Sequence, residues 1–333
     1  MSANLLNLSA QRPCCQARAQ RRSAGVACRA QARGGPPKSA PGNPKSPVGI
    51  HSQVWVGGWS PKEAEHAISG TKDAGYDLIE LNVSEPDKFD AAMTKELLQK
   101  YGIKGSGSLG LSKATDISSS DSSIRHAGKE LLSNSMKILR DVGGKYFVGV
   151  NFCAMDKYTT PCSTEQWNTC RDSLKELCKE AADYGLIYGL EVVNRYETNI
   201  LNTAAQAMDM VADVGADNVV VHLDTYHMNI EEASVQRAVK LCGDKLGYVH
   251  VGESHRGYLG TGSVNWDGLW SGLAEMGYEG PITFESFSSA VVSDSLSRTL
   301  CIWRDPWVDS RDLAFKARTF IDANLKASLA SLV

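Results

Sequence analysis

From residue 48 onward the chain alternates between two hydrophobic patterns. Short apolar runs rich in β-branched and aromatic residues are separated by longer amphipathic stretches. The runs VGIHSQVW, YDLIELNV, GIKGSGSLGL, KYFVGVNF, LIYGLEVV, NVVVHLD, LGYVHVG and PITFES predict eight strands. The later runs are apolar throughout, as in parallel sheets covered by helices. Between strands the spacing becomes helical. STEQWNTCRDSLKELCKEAADYG offers Ser163 or Thr164 as a cap, Leu174, Leu177, Cys178 and Ala181 on one face, and Gly185 as the stop. Eight such units in the 286 residues of 48–333 predict a single α/β domain, a closed (β/α)8 TIM barrel. A doubly wound open sheet is the alternative.

Residues 1–47 have another composition. They hold no Asp or Glu, carry eight Lys or Arg and end in GGPPKSAPGNPKSP. Arg-rich, acid-free sequence followed by a Pro/Gly linker predicts a disordered N-terminal targeting segment, a transit peptide. VACRA at 26–30 resembles a chloroplast cleavage site, so a plastid is the expected destination, with mitochondrion or cytoplasm as alternatives. A retained basic tail is the rival reading. The chain total of −3 with +8 in the leader leaves −11 on residues 48–333, which disfavours a nucleic-acid partner. No apolar run approaches the roughly 20 residues of a membrane-spanning helix. The six cysteines beyond the leader form no CxxC pair and read as scattered thiols in a reducing compartment.

Polar residues then appear where apolar strands end. Glu191 follows LIYGL, Asp224 follows VVVHL, His250 follows LGYV and Glu285 follows PITF, at separations of 33, 26 and 35 residues. Each step is about one βα unit, so the four belong on neighbouring strands at the C-terminal rim, where barrels carry their catalytic residues. Three carboxylates and an imidazole facing one another repel unless a cation neutralises them. The oxygen-rich set suits Mn2+, Mg2+ or Co2+ better than a closed zinc site.

The segments GLEVVNRYETN, HLDTYHMNIEE, HVGESHRG and ITFES resemble the signature segments of the D-tagatose/D-psicose 3-epimerases, ketose 3-epimerases of the xylose-isomerase-like barrels. The similarity runs from about residue 48 to the C-terminal helix and includes IWRD at 302–305. It implies metal ligation by Glu191, Asp224, His250 and Glu285, and substrate contacts from Glu197, His227 and Arg256. It also implies a homodimer or homotetramer. The expected chemistry is metal-dependent epimerisation of a ketose at its third carbon through a cis-enediolate. Glu191 and Glu285 would be the acid and base on opposite faces. An aldose–ketose or hydroxypyruvate-type isomerase could use the same groups, and a non-catalytic sugar-binding protein is the alternative of another class. A DNA-repair endonuclease on a related barrel is disfavoured by the acidic balance.

His51 and Met155 stand where many members of that family place aromatic residues near the sugar, so His51 is either a sugar contact or a satisfied half-buried histidine. His222, Glu231 and Glu232 read as structural, the first inside the barrel and the others flanking the next helix. GYLGTGSVNW lacks the GKS/GKT ending of a P-loop and reads as a loop into a helix near Trp266–Met276.

Overall fold

The structure is a computed structural model that describes residues 46–331. The targeting segment expected over 1–47 therefore lies, apart from its last two residues, outside the described residues. Eight strands form a closed barrel in sequential order: β1 (Val48–His51), β2 (Leu78–Asn82), β3 (Lys104–Leu111), β4 (Tyr146–Ala154), β5 (Ile187–Val192), β6 (Val219–Asp224), β7 (Leu246–Val251) and β8 (Ile282–Phe284). All eight pairings are parallel, and β1 closes on β8 with Ile50 opposite Phe284.

The elements form for the reasons visible in the sequence. Ser163 accepts a hydrogen bond from the Gln166 amide at 3.0 Å and starts the helix Thr164–Asp183, whose Leu174, Leu177, Cys178 and Ala181 are buried against the barrel. Thr203 and Gln206 form a capping box ahead of Ala204–Val214. The first and last strands are shorter than their apolar runs. At β1 the His51 ring accepts the Gln53 amide and turns the chain into the 3-10 helix Ser52–Val54. Among the described residues no helix is long and apolar enough to cross a membrane.

Strand alternation sends two sets of side chains to two cores. Ile79 and Leu81 face the helical layer, while Glu80 between them is fully buried on the other face of β2. Register then builds an interior polar layer. His51 pairs with Glu80 and Glu80 with Ser106, Glu191 pairs with His222, and Asp224 pairs with His250. The β6–β7 register slips between Val221 and His222, so that Val221 meets Leu246 but His222 meets Tyr248. That bulge aligns the polar faces of the two strands.

Gly149 holds φ +105° within β4, and a Cβ there would meet the backbone carbonyl of Leu109. Gly185, φ +70°, ends its helix with nothing near its missing Cβ. Gly149→Ala is therefore expected to cost on the order of 3 kcal/mol and Gly185→Ala only about 1 kcal/mol, read as a larger drop in Tm for the first. Equal losses would contradict the account of β4.

Candidate active site

The C-terminal rim gathers Glu191 from β5, Asp224 from the end of β6, His250 from β7 and Glu285 just after β8. All four are buried, and one ligand-capable atom from each lies within 4.8 Å of the others. His250 is the centre of the arrangement. Its Nε2 hydrogen-bonds Glu80 at 2.9 Å, while its Nδ1 faces Glu285 at 3.4 Å, Glu191 at 3.6 Å and Asp224 at 3.8 Å. That Nδ1 is buried with no hydrogen-bond partner among the described residues. A buried, unpaired imidazole nitrogen surrounded by three acid oxygens fits a divalent cation.

Asp224 has a second task. Its side chain accepts the Tyr226 amide at 2.6 Å and starts the helix Thr225–Glu231 directly at the strand end, which turns His227 back over the site. His227 Nε2 stands 3.9 Å from both Glu191 and Asp224. Its Nδ1 takes the Asn194 backbone N–H at 3.1 Å and lies 2.8 Å from the Asn194 amide nitrogen, which also donates to Glu197 at 2.8 Å.

Arg256 reaches Glu285 at 2.6 Å and Asp224 at 3.2 Å. Its guanidinium lies 3.9 Å from the Tyr226 ring centroid. To do so its backbone takes φ +59°, left-handed for a long side chain, and Ser286 holds the Arg256 carbonyl by a hydrogen bond. Above the cluster opens a cavity of about 710 Å³, lined by His51, Ser108, Met155, Glu191, Glu197, His227, Arg256, Glu285 and Phe287 among others. His51 belongs to its wall and is also satisfied. Its Nδ1 accepts from Gln53, and its Nε2 is 3.3 Å from Ser108 Oγ and 3.6 Å from Glu80.

The structure thus brings Glu191, Asp224, His250, Glu285, His227 and Arg256 into one cluster, with Glu197 and His51 on the walls of the same cavity. Glu231 ends its helix and holds Arg195, and Glu232 accepts the Ala204 amide that opens another helix. His222, fully buried inside the barrel, packs its ring edge-on to His250 with centroids 4.1 Å apart. Sequence reasoning missed Glu80. Its carboxylate accepts from His250 and, at 2.7 Å, from Tyr248, whose hydroxyl is also within 2.8 Å of Ser106 and Thr283. The signal was present: a lone acid inside the apolar run YDLIELNV. The GYLGTGSVNW loop, as expected, leads into the helix Trp266–Met276, and Glu253 holds it through the Gly260 and Val264 amides and the Trp266 indole.

Burial opposes charge throughout the site, and the neighbours decide each outcome. For Asp224, Arg256 and His227 overcome burial and hold the carboxyl well below its usual range. For Glu191, His222 in its protonated form and His250 do so. On Glu285 burial prevails over His250 and Arg256, with the charges of Asp224 and Glu191 adding to it, and its carboxyl is pushed well above the usual value. Burial pushes His51 and His222 down to about 4, so both rings are neutral. His250 is the opposite: Glu80 and Glu285 outweigh burial and raise it well above an ordinary histidine.

Two expectations follow. A cation must displace the proton that the acids stabilise on His250, so divalent-ion affinity rises with pH up to the raised titration of that imidazole, with proton release on binding. Calorimetric titrations in buffers of different ionisation enthalpy measure both, and pH-independent affinity would contradict the arrangement. Glu80→Gln removes the carboxylate that orients His250 and should weaken divalent-ion affinity about 10- to 100-fold. Unchanged affinity would show that Glu80 serves only the barrel interior.

Comparison with known proteins agrees with this architecture. The family described as Xylose isomerase-like TIM barrel matches residues 69–313. An L-ribulose 3-epimerase of Methylomonas sp. is 49% identical over 273 residues, 82% of this chain and 96% of that protein. A ketose 3-epimerase of Arthrobacter globiformis is 43% identical over 280 residues, 84% of this chain and 97% of its own. The crystal structure of a D-allulose 3-epimerase from Methylomonas sp. in complex with D-allulose superposes with a TM-score of 0.83 at 48% identity, covering 84% of this chain and 97% of that one. The chain belongs to the xylose isomerase-like TIM barrel family, and its close relatives are ketose 3-epimerases, isomerases that act on sugars.

Proposed function

We propose that this protein is a metal-dependent ketose 3-epimerase acting on a free ketose of the L-ribulose or D-allulose kind. The observation that carries the reading is the order of groups around the rim. Glu191 and Glu285 form the outer pair, Asp224 and His250 lie on the two strands between them, and the cluster opens onto the cavity.

The chemistry follows from the substrate. A proton on the third carbon of a ketose is acidified by the neighbouring carbonyl, and its loss leaves a cis-enediolate. Inversion requires one group to remove the proton from one face and another to return it to the opposite face. Glu191 and Glu285, on the outer strands of the cluster, suit that pair, the roles exchanging in the reverse direction. Arg256 holds Glu285 in place and brings positive charge to the carbonyl end. His227, fixed by Asn194, and Glu197 are the groups we assign to binding the substrate hydroxyls. Glu191, Asp224, His250 and Glu285 would hold a divalent cation, which would supply positive charge against the negative charge that develops on the substrate oxygens. Three carboxylates to one imidazole favour manganese, with magnesium or cobalt as substitutes.

Two further assignments rest on sequence. The basic, acid-free composition of residues 1–47 supports a plastid-directed leader, and the family resemblance supports a homodimer or homotetramer.

The test uses protein stripped with chelator and reloaded with Mn2+, incubated in deuterated water with L-ribulose, D-fructose, D-psicose, D-tagatose or D-sorbose. Metal-dependent deuterium at the third carbon with inversion is expected. Deuterium at the first or second carbon with aldose formation would make the protein an isomerase, and no exchange on any ketose would leave sugar binding alone. Glu191→Gln should lower exchange at the third carbon by about 10²- to 10⁴-fold, and retained turnover would exclude the two-glutamate mechanism.

A further inference from the structure

One group at the centre is unexplained by the mechanism. His222 is fully buried, yet neither of its ring nitrogens has a hydrogen-bond partner among the described residues. Buried polar groups are nearly always paired, and leaving one unpaired costs on the order of 1–3 kcal/mol. A histidine that served only to fill the barrel could be replaced by an apolar ring at no such cost. Its surroundings point to a ligand. Nδ1 stands 4.0 Å from Glu191 Oε2, and the ring meets His250 at 4.1 Å and Tyr248 at 5.0 Å, edge-on in both cases. One ligand-capable atom each from Glu191, His222 and His250 falls within 4.8 Å of the other two.

We propose that Glu191, His222 and His250 form a second seat for the cation, richer in nitrogen than the Glu191, Asp224, His250 and Glu285 set, and that this seat captures softer divalent ions. The inference rests on the metal centre assigned above. Glu191 and His250 belong to both sets, so the two seats compete for the same side chains. The first offers three carboxylates and one imidazole, the second one carboxylate and two imidazoles. Hard Mn2+ and Mg2+ favour the first, whereas Zn2+ and Ni2+, with stronger affinity for imidazole, are drawn to the second. An ion in the second seat leaves Asp224 and Glu285 to Arg256 alone and engages Glu191 away from them. The protein thereby discriminates between metals by where it holds them.

X-ray absorption on the full barrel, stripped and then loaded with one equivalent of Zn2+ or of Mn2+, counts imidazole ligands without any substitution. Two imidazoles on zinc and one on manganese are expected. In parallel, calorimetric titration of His222→Gln should show zinc affinity falling at least about 10-fold, with manganese affinity changed less than about 3-fold. One imidazole on zinc, two on both metals, or equal losses of affinity for both ions would overturn the second seat while leaving the first intact. Failure of the unsubstituted protein to bind either ion would remove the metal centre itself, and the inference with it.

Discussion

Three buried carboxylates must converge on one imidazole at the barrel mouth, and much of the structure serves to make that convergence tolerable. Like charges within 4.8 Å of one another repel by roughly 3 kcal/mol per pair even at an effective dielectric of ~20. The protein lowers that repulsion in three ways. Arg256 spans Asp224 and Glu285, His250 carries positive charge between them, and burial favours the protonated form of Glu285. Each remedy has its own support: the left-handed turn at Arg256 is held by Ser286, and His250 is held from behind by Glu80.

The same constraint reaches into the barrel. Glu80, itself a buried acid, is kept ionised against burial by His250 and further anchored by the Tyr248 hydroxyl. Tyr248 links β7 to β3 and β8 through Ser106 and Thr283. Residues on four strands thus fix one imidazole, so its orientation is a property of the closed sheet rather than of a flexible loop. The slip between Val221 and His222 is part of this design, since it sets Asp224 opposite His250.

The division of labour follows that of barrels in general. The reacting cluster comes from strand ends, while the far wall of the cavity is drawn from β1, β3 and the connecting loops, including His51, Ser108 and Met155. That wall is more polar than an aromatic one, and His51, neutral and bonded on both nitrogens, is fixed in it.

Strand count, strand order and the four rim residues were legible in the sequence because they depend on local periodicity and on spacing. Apolar runs mark strands, and acids at their ends, one βα unit apart, mark one rim. Glu197, His227 and Arg256 were legible only through resemblance, since nothing in their own spacing turns them toward the cavity. Glu80 and Asn194 were not recognised, because their roles exist only across the barrel: Glu80 meets His250 at a separation of 170 residues and Asn194 meets His227 at 33. His51 was left between two readings that the fold unites, as it lines the cavity and is satisfied. By itself the sequence determined the alternation, the barrel and which chemical groups reach its rim, all consequences of nearest-neighbour hydrophobic patterning. Only the tertiary structure decided which nitrogen of His250 faces the acids, which acid burial pushes upward and that His222 finds no hydrogen-bond partner among the described residues, because those depend on distances and desolvation that arise when the sheet closes.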